Sequence, residues 1–213
     1  MSVTVDELLV GDDPEAWRLA GFHVDEDGAC RIGTVRVRLT GGDGPRHLHG
    51  WSLRGIGPAT VDVDGVSTSP ASADPADPAK HPNGTTKIDH VVMTTPDLDR
   101  TIAALAALGL DIRRVREDVL RYPQPMRQVF FRLGEVILEL IGPQVPDPAN
   151  ADRPARLWGI AVDSADLDAT ADHLGPQRLT APKDAVQPGR RIATLRTRDL
   201  DISTSIAFMS PAP

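Results

Sequence analysis

One strand-and-helix pattern occurs twice in this chain, and a duplicated unit of that size has to bury its apolar face against its copy. The first copy opens with KIDHVVMTT at 87–95 and runs into PDLDRTIAALAALG. The second opens with RLWGIAVDS at 156–164 and runs into ADLDATADHLG. In the first, Thr95 is expected to cap the helix, Pro96 suits its first turn, and Asp97 and Asp99 lie where the helix dipole favours acids. Leu98, Ile102, Leu105 and Leu108 form one apolar stripe, and Gly109 ends the helix. In the second, Ser164 is the expected cap, Asp166 and Asp168 fill the first turn, Leu167, Ala171 and Leu174 form the stripe, and Gly175 is the stop. Three strand candidates follow each helix: LDIRRVRE, MRQVFFRLG and EVILELIG after the first, QRLTAP, RRIATLRTR and DISTSIAFMSP after the second. The order β-α-β-β-β, read twice, predicts an α+β fold of paired units at 87–145 and 155–213.

Residues 65–86, rich in Pro, Ala, Ser and Asp and without an apolar period, read as a linker. Ahead of it, residues 1–64 carry a fainter echo. CRIGTVRVRLTGG at 30–42 lines up without a gap with FRLGEVILELIGP at 131–143. DDPEAWRLAGF offers a short helix ending at Gly21, and HGWSLRGIG offers a further strand. This predicts a diverged, partial β-α-β-β-β-like unit at the N-terminus.

The charge balance narrows the partners. A net charge of -7 over 213 residues gives no electrostatic reason to expect nucleic acid or an anionic membrane. The single cysteine, Cys30, allows no intrachain disulfide and suits a reducing cytosol. MSVTVDELLVGDD lacks the basic start and apolar core of a secretory signal, and no run approaches 18 apolar residues, so a cytoplasmic protein is expected. Walker, GxGxxG and GxSxG patterns are absent. Cys30 has no motif around it and is expected to pack as a small hydrophobe.

Paired units that open with IDHVVM and close their first half with VILELIGP resemble the glyoxalase/bleomycin-resistance/extradiol-dioxygenase superfamily, also called the vicinal oxygen chelate fold. The resemblance covers about 87–211. It implies two units whose sheets curl into a shared cup. In the metal enzymes of that superfamily the first and fourth strands supply ligands to a divalent metal that chelates two adjacent oxygens of a substrate, whereas other members bind drugs or metabolites without metal. Carried over residue by residue, the resemblance assigns His90 to the first-strand position and Glu139 to the fourth, both suitable ligands for Zn, Fe, Mn or Ni. Strand parity supports Glu139, which shares a face with Ile137 while Val136, Leu138 and Leu140 face the helix side. By the same parity His90 shares a face with Ile88 and Val92, and Asp89 points the opposite way. The second unit departs from the pattern: Gly159 stands opposite His90 and Ala207 opposite Glu139, and the N-terminal counterpart of Glu139 is Arg38. A divalent metal and no cofactor at all both stay open.

A second group of residues points to ligand binding. Lys183, Gln187, Arg190 and Arg191 lie on a loop leading into a cup strand, with Arg190 or Arg191, not both, expected to face in. Met126, Arg127, Gln128, Phe130 and Phe131 lie on the other wall. Cations beside apolar and aromatic groups suit a carboxylate, phosphate or enolate with an apolar body. Trp158 lies at the expected rim. Besides an interaction module with the N-terminal unit as docking surface, two functions follow as expectations. One is a lyase, isomerase or dioxygenase in which His90 and Glu139 hold a metal, or Glu139 acts as general base on a proton next to a carbonyl. The other is a metal-free protein that binds or sequesters a small molecule. Dimers are common in the resembled superfamily, so a homodimer is open, although a chain with both units forms a complete cup alone.

Overall fold

The computed structural model describes residues 2–42, 45–117, 125–146 and 148–212. The chain first lays down β1 (Thr4–Val10), α1 (Pro14–Leu19), β2 (Ala29–Ile32), β3 (Val35–Leu39), β4 (Leu48–Arg54), β5 (Val61–Val63) and β6 (Val66–Pro70). These strands form one sheet in the order β2-β3-β1-β4-β6-β5. Next come β7 (Thr85–Thr94), α2 (Leu98–Ala107), β8 (Ile112–Arg116), β9 (Met126–Leu133) and β10 (Val136–Pro143). The last set is β11 (Arg156–Ser164), α3 (Leu167–Leu174), β12 (Lys183–Asp184), β13 (Arg191–Thr194), a 3-10 turn (Thr197–Leu200) and β14 (Ser205–Met209). Their eight strands run β12-β13-β14-β11-β7-β10-β9-β8, so the first strands of the two repeats, β7 and β11, lie side by side at the centre.

The helices form where the stripes predict, but their caps lie two residues later than expected. Asp97 caps α2 by accepting from the Arg100 amide at 3.1 Å, and Thr95 instead accepts from the Asp97 amide at 3.0 Å. Asp166 caps α3 by accepting from the amides of Asp168 and Ala169, and Ser164 accepts from Asp166. Each hydroxyl residue thus makes the turn that delivers the chain to an acid, whose charge also faces the positive end of the dipole. Gly109 and Gly175 stop the helices with φ of 81° and 71°, a region that favours glycine. Leu98, Leu105, Leu167 and Leu174 are buried, and Ile102, Leu108 and Ala171 pack against the same core.

Two segments differ from the expectation. QRLTAP is not a strand: it makes one isolated bridge, Leu179 to Leu195, and the edge strand β12 starts only at Lys183. Part of the stretch read as linker is ordered sheet, because β6 pairs in parallel with β4 and antiparallel with β5. Val66 and Thr68 are buried in that strand, an alternation too short to stand out in a Ser-rich run.

The six-stranded sheet repeats the pairing of the inner six strands of the larger one. β1 runs parallel to β3 and antiparallel to β4, as β7 runs parallel to β10 and antiparallel to β11. Both first strands skip a residue at the same place. Asp6 falls between the pairs Val5–Leu53 and Glu7–Ser52, and Asp89 falls between Ile88–Val162 and His90–Ala161. VDELLV at 5–10 therefore stands in the place of IDHVVM at 88–93, so the N-terminal region has the layout of two curtailed units rather than one.

The two sheets share one core. Phe22 stacks on Phe208 of β14 with ring centroids 5.9 Å apart, and Trp17, Trp51, Phe131 and Phe208 are all fully buried. Each such side chain stabilises the fold by about 1.5–3 kcal/mol. Polar ties seal the seam: Asp12 accepts from the Ser203 amide at 2.8 Å, and Thr34 donates its amide to Glu135 at 3.1 Å. The smaller sheet therefore packs on the Phe208 side of the larger one and leaves the opposite face, that of Ala207 and Glu139, open. No helix among the described residues is long and apolar enough to cross a membrane.

Candidate functional site

That open face is concave. The edge strands β8 and β12, at opposite ends of the sheet, both border one cavity of about 630 Å³. Alternation along β10 aims Ile137, Glu139 and Ile141 into it, while Val136, Leu138 and Leu140 enter the core. The antiparallel partner of Glu139 is Phe130, and that of Ile141 is Gln128, so β9 sends these two into the cavity as well.

The floor is a polar chain set in apolar walls. Asp89 Oδ2 lies 2.6 Å from His90 Nδ1, and His90 Nε2 lies 3.5 Å from Glu139 Oε2. Gln128, 3% exposed, donates Nε2 to Glu139 Oε1 at 2.5 Å and accepts at Oε1 from Arg116 at 3.0 Å. The Arg116 guanidinium also sits 5.7 Å from the Phe130 ring centroid, a cation–π arrangement. Asp89 reaches the floor because of the skipped residue in β7. A β-bulge turns two consecutive side chains to one side, so Asp89 and His90 both line the cavity, against the alternation expected of a regular strand. The same bulge sends Ile88 into the core with Val91 and Met93 instead of beside His90.

Behind Asp89 lies Arg190, 5% exposed. It donates Nη1 to Asp89 Oδ1 at 2.6 Å and to Gln187 Oε1 at 2.8 Å, Nη2 to Asp163 Oδ1, and Nε and Nη2 to the Ser210 carbonyl at 2.9 and 2.7 Å. Burial pushes the Asp89 carboxyl up, but hydrogen bonds from His90 and Arg190 outweigh it and hold it at about 2. Asp163 goes the other way: burial and the nearby charge of Asp89 raise it, against the pull of Arg190. Arg190 itself is raised, because the two acids outweigh its own burial.

Sequence and structure differ at several expected ligand contacts. His90, Glu139, Gln128, Lys183 and Gln187 line the cavity. Phe131 does not: it is fully buried on the core side of β9, opposite Leu138, and Phe130 takes the cavity position. Arg127 lies outside the lining, paired with Glu117 at 2.9 Å. Arg191 pairs with Asp168 of α3 at 2.8 Å, on the helix side. Arg190 is the inward member of the Arg190–Arg191 pair, yet its donors are spent on Asp89, Asp163, Gln187 and Ser210 rather than offered to a ligand. The cations that do border the cavity from the opposite edge are Arg113, Arg114 and Arg116 of β8, which the sequence reading passed over. Among the described residues neither Arg113 nor Arg114 pairs with an acid. The signal was the IRRVR run itself, a cationic strand next in order to the cup. Trp158, 57% exposed, lines the rim, placed there by a second register shift between Leu157 and Gly159.

The side chains do not fit a chelated divalent metal. His90 Nε2 and Glu139 are two donors, and catalytic sites of this kind take three protein ligands or more. The parallel registers confirm which positions correspond: His90 pairs with Ile137, two residues before Glu139, and Gly159 pairs with Ser205, two residues before Ala207. No group of three His, Cys, Asp or Glu side chains able to hold a metal occurs among the described residues. His47 and His49 belong to the smaller sheet and its approach, where His47 Nδ1 contacts the Ser203 carbonyl at 3.0 Å.

Nor does the backbone leave room for a side chain at 159. A Cβ there would stand 2.5 Å from the Ser205 carbonyl oxygen and 2.8 Å from the Ser205 Cβ. Gly159→Ala is therefore expected to lower stability by about 1–3 kcal/mol through overpacking at the β11–β14 contact. Urea unfolding measures this, and an unchanged midpoint would contradict the close approach.

A sequence profile of the family described as the Glyoxalase/Bleomycin resistance protein/Dioxygenase superfamily matches residues 89–194. Among solved structures, methylmalonyl-CoA epimerase from Mycobacterium tuberculosis is similar at 23% identity and a TM-score of 0.46, over 61% of this chain and 91% of that one. A variant of Streptomyces coelicolor methylmalonyl-CoA epimerase in complex with 2-nitronate-propionyl-CoA is similar at 24% identity and a TM-score of 0.45, over 61% and 99%. A hypothetical protein from Bacillus halodurans is similar at 18% identity and a TM-score of 0.46, over 60% and 95%. No curated protein matches the chain.

Proposed function

We propose that this chain, whose residues 89–194 belong to the glyoxalase/bleomycin resistance protein/dioxygenase superfamily, binds a small organic anion with an apolar body in the cup and moves a proton on it with the His90–Glu139 pair. The observation that carries the reading is the convergence on one cavity of a 3.5 Å imidazole–carboxylate pair and the arginines of β8. A cluster in which, among the described residues, Arg113 and Arg114 have no acidic partner attracts a carboxylate or phosphate. Val92, Ile137, Ile141, Ile160 and Met209 supply the apolar walls. A proton next to a carbonyl is the target suited to a positioned carboxylate base, and the nearby cations offset the enolate charge that develops. The reaction class is isomerase- or lyase-like proton transfer, with no step assigned to a metal because the donor set does not fit one.

A second reading has its own observation. Gly159 and Ala207 give the second unit no counterpart of the His90–Glu139 pair, which favours binding without turnover.

Methyl-labelled full-length protein titrated with phenylpyruvate, a carboxylate with an apolar body and a C–H next to a carbonyl, separates the outcomes. Saturable shifts at Ile137, Ile141, Ile160 and Met209 are expected. Ala207→Trp, which fills the cavity from β14, is expected to abolish them while the core methyls stay in place. Shifts confined to other surfaces would contradict the cup as the binding site. Binding without deuterium uptake from solvent would replace the catalytic reading by the binding one.

A further inference from the structure

His90 has a carboxylate on each side, and the two are held differently. Glu139 lies toward Nε2 at 3.5 Å, whereas Asp89 lies on Nδ1 at 2.6 Å. Asp89 is itself anchored through its other oxygen, because Arg190 Nη1 donates to Oδ1 at 2.6 Å. Arg190 is fixed in turn by Asp163 and by two bonds to the Ser210 carbonyl. An ionised carboxylate only accepts hydrogen bonds, so the ring nitrogen facing Asp89 must be the one that donates.

We propose that Asp89 and Arg190 are positioning residues that hold His90 in its Nδ1–H form, leaving Nε2 as the nitrogen that exchanges a proton with Glu139 or the bound molecule. The proposal rests on reading the cup floor as the proton-transfer site, but the ring form is measurable with no ligand present. It also gives the bulge in β7 a purpose. In a regular strand Asp89 would point into the core and could not touch the ring of its neighbour. With Nδ1–H committed to Asp89, Nε2 and the Glu139 carboxylate face each other and share the next proton, so they act as one acid–base unit.

The smaller sheet shows the same scaffold without the histidine. Asp6 sits at the equivalent bulge and accepts from Arg36 at 2.9 Å and from Arg54. The next residue is Glu7, and its carboxylate is taken by Arg38 at 3.0 Å. An acid clamped by arginine at the bulge is thus common to both sheets, and a ring for it to orient is present only in the cup.

Long-range proton–nitrogen correlation on full-length protein labelled with 15N-histidine tests this, at a pH where the ring is neutral. The wild type is expected to show a protonated Nδ1 and a lone-pair-bearing Nε2. In the isosteric Asp89→Asn, Arg190 takes the amide oxygen, the amide NH₂ turns to Nδ1, and the ring inverts to Nε2–H, as when the aspartate of a Ser-His-Asp triad becomes Asn. Arg190→Lys, which keeps a donor near Asp89 Oδ1 but loses the fork, is expected to mix the two forms and serves if Asp89→Asn does not fold. A wild type with its proton on Nε2, or a folded Asp89→Asn with Nδ1 still protonated, would overturn the proposal. The same holds for Arg190 if Arg190→Lys leaves the wild-type pattern unchanged. An Nδ1–H ring in a protein that binds no probe would sink the reading of the cup and leave the positioning intact. An Nε2–H ring in a protein that binds phenylpyruvate would do the reverse.

Discussion

Glu139→Gln slows proton exchange into phenylpyruvate by about 10²–10⁴-fold, the usual worth of a positioned acid–base group, while binding and fold persist. The side chain keeps its shape, and Gln128, which donates to Glu139 Oε1 at 2.5 Å, still finds a carbonyl oxygen there. What is lost is the carboxylate 3.5 Å from His90 Nε2. The apolar walls and the β8 arginines are untouched, so the shifts produced by the probe survive. Deuterium uptake followed by proton NMR reads the rate. An undiminished rate in Glu139→Gln would remove Glu139 from the chemistry.

Arg190→Met destabilises the fold by about 3–5 kcal/mol, because removing one partner of a buried ion pair leaves the rest uncompensated. Here two carboxylates lose their shared partner, since Asp89 and Asp163 both accept from Arg190, which leaves Asp89 with His90 and Asp163 with Lys87 at 3.5 Å. The pH dependence has a definite sign. In the wild type Asp89 is depressed to about 2, so its contribution is present above its unfolded value near 4 and is lost as pH falls toward 2. Asp163 is raised, so it costs stability at neutral pH and returns it as pH falls. Loss of the guanidinium moves both carboxyls up from their wild-type positions, so the folded variant binds more protons than the folded wild type. The deficit of the variant is therefore larger at pH 8 than at pH 5. Urea unfolding at the two values measures it, and a small, pH-independent loss would contradict the clamp.

The parts of the site that depend on local pattern were legible in the sequence. The repeat places His90 and Glu139 on first and fourth strands, and alternation around Glu139 in EVILELI puts it on the cup face. The helix stops at Gly109 and Gly175 follow from backbone chemistry alone. What was not legible depends on pairing between distant strands. Asp89 faces the cup only because β7 skips a residue against β11, and nothing within IDHVVM announces a bulge. Trp158 reaches the rim by a similar shift. The choice between Phe130 and Phe131 was in principle accessible: with a tight turn at Gly134, the partner of Glu139 across the hairpin is Phe130, and carrying the parity across would have put Phe131 in the core. Arg190 looked like an anion binder because two acids 27 and 101 residues away in sequence, Asp163 and Asp89, were not seen to meet it. The likeness of VDELLV to IDHVVM was hidden by the exchange of His for Glu and by the short helix that follows it.

The central claim is proton transfer in the cup by this chain's own side chains. Its most direct test is deuterium incorporation into phenylpyruvate by chelator-treated wild-type protein, with Ala207→Trp as the filled-cup control. The account predicts saturable, protein-dependent exchange that chelation leaves unchanged and that disappears in Ala207→Trp. Exchange that stops on chelation and returns with a divalent metal would contradict it, as would a protein that binds the probe in the cup and exchanges nothing.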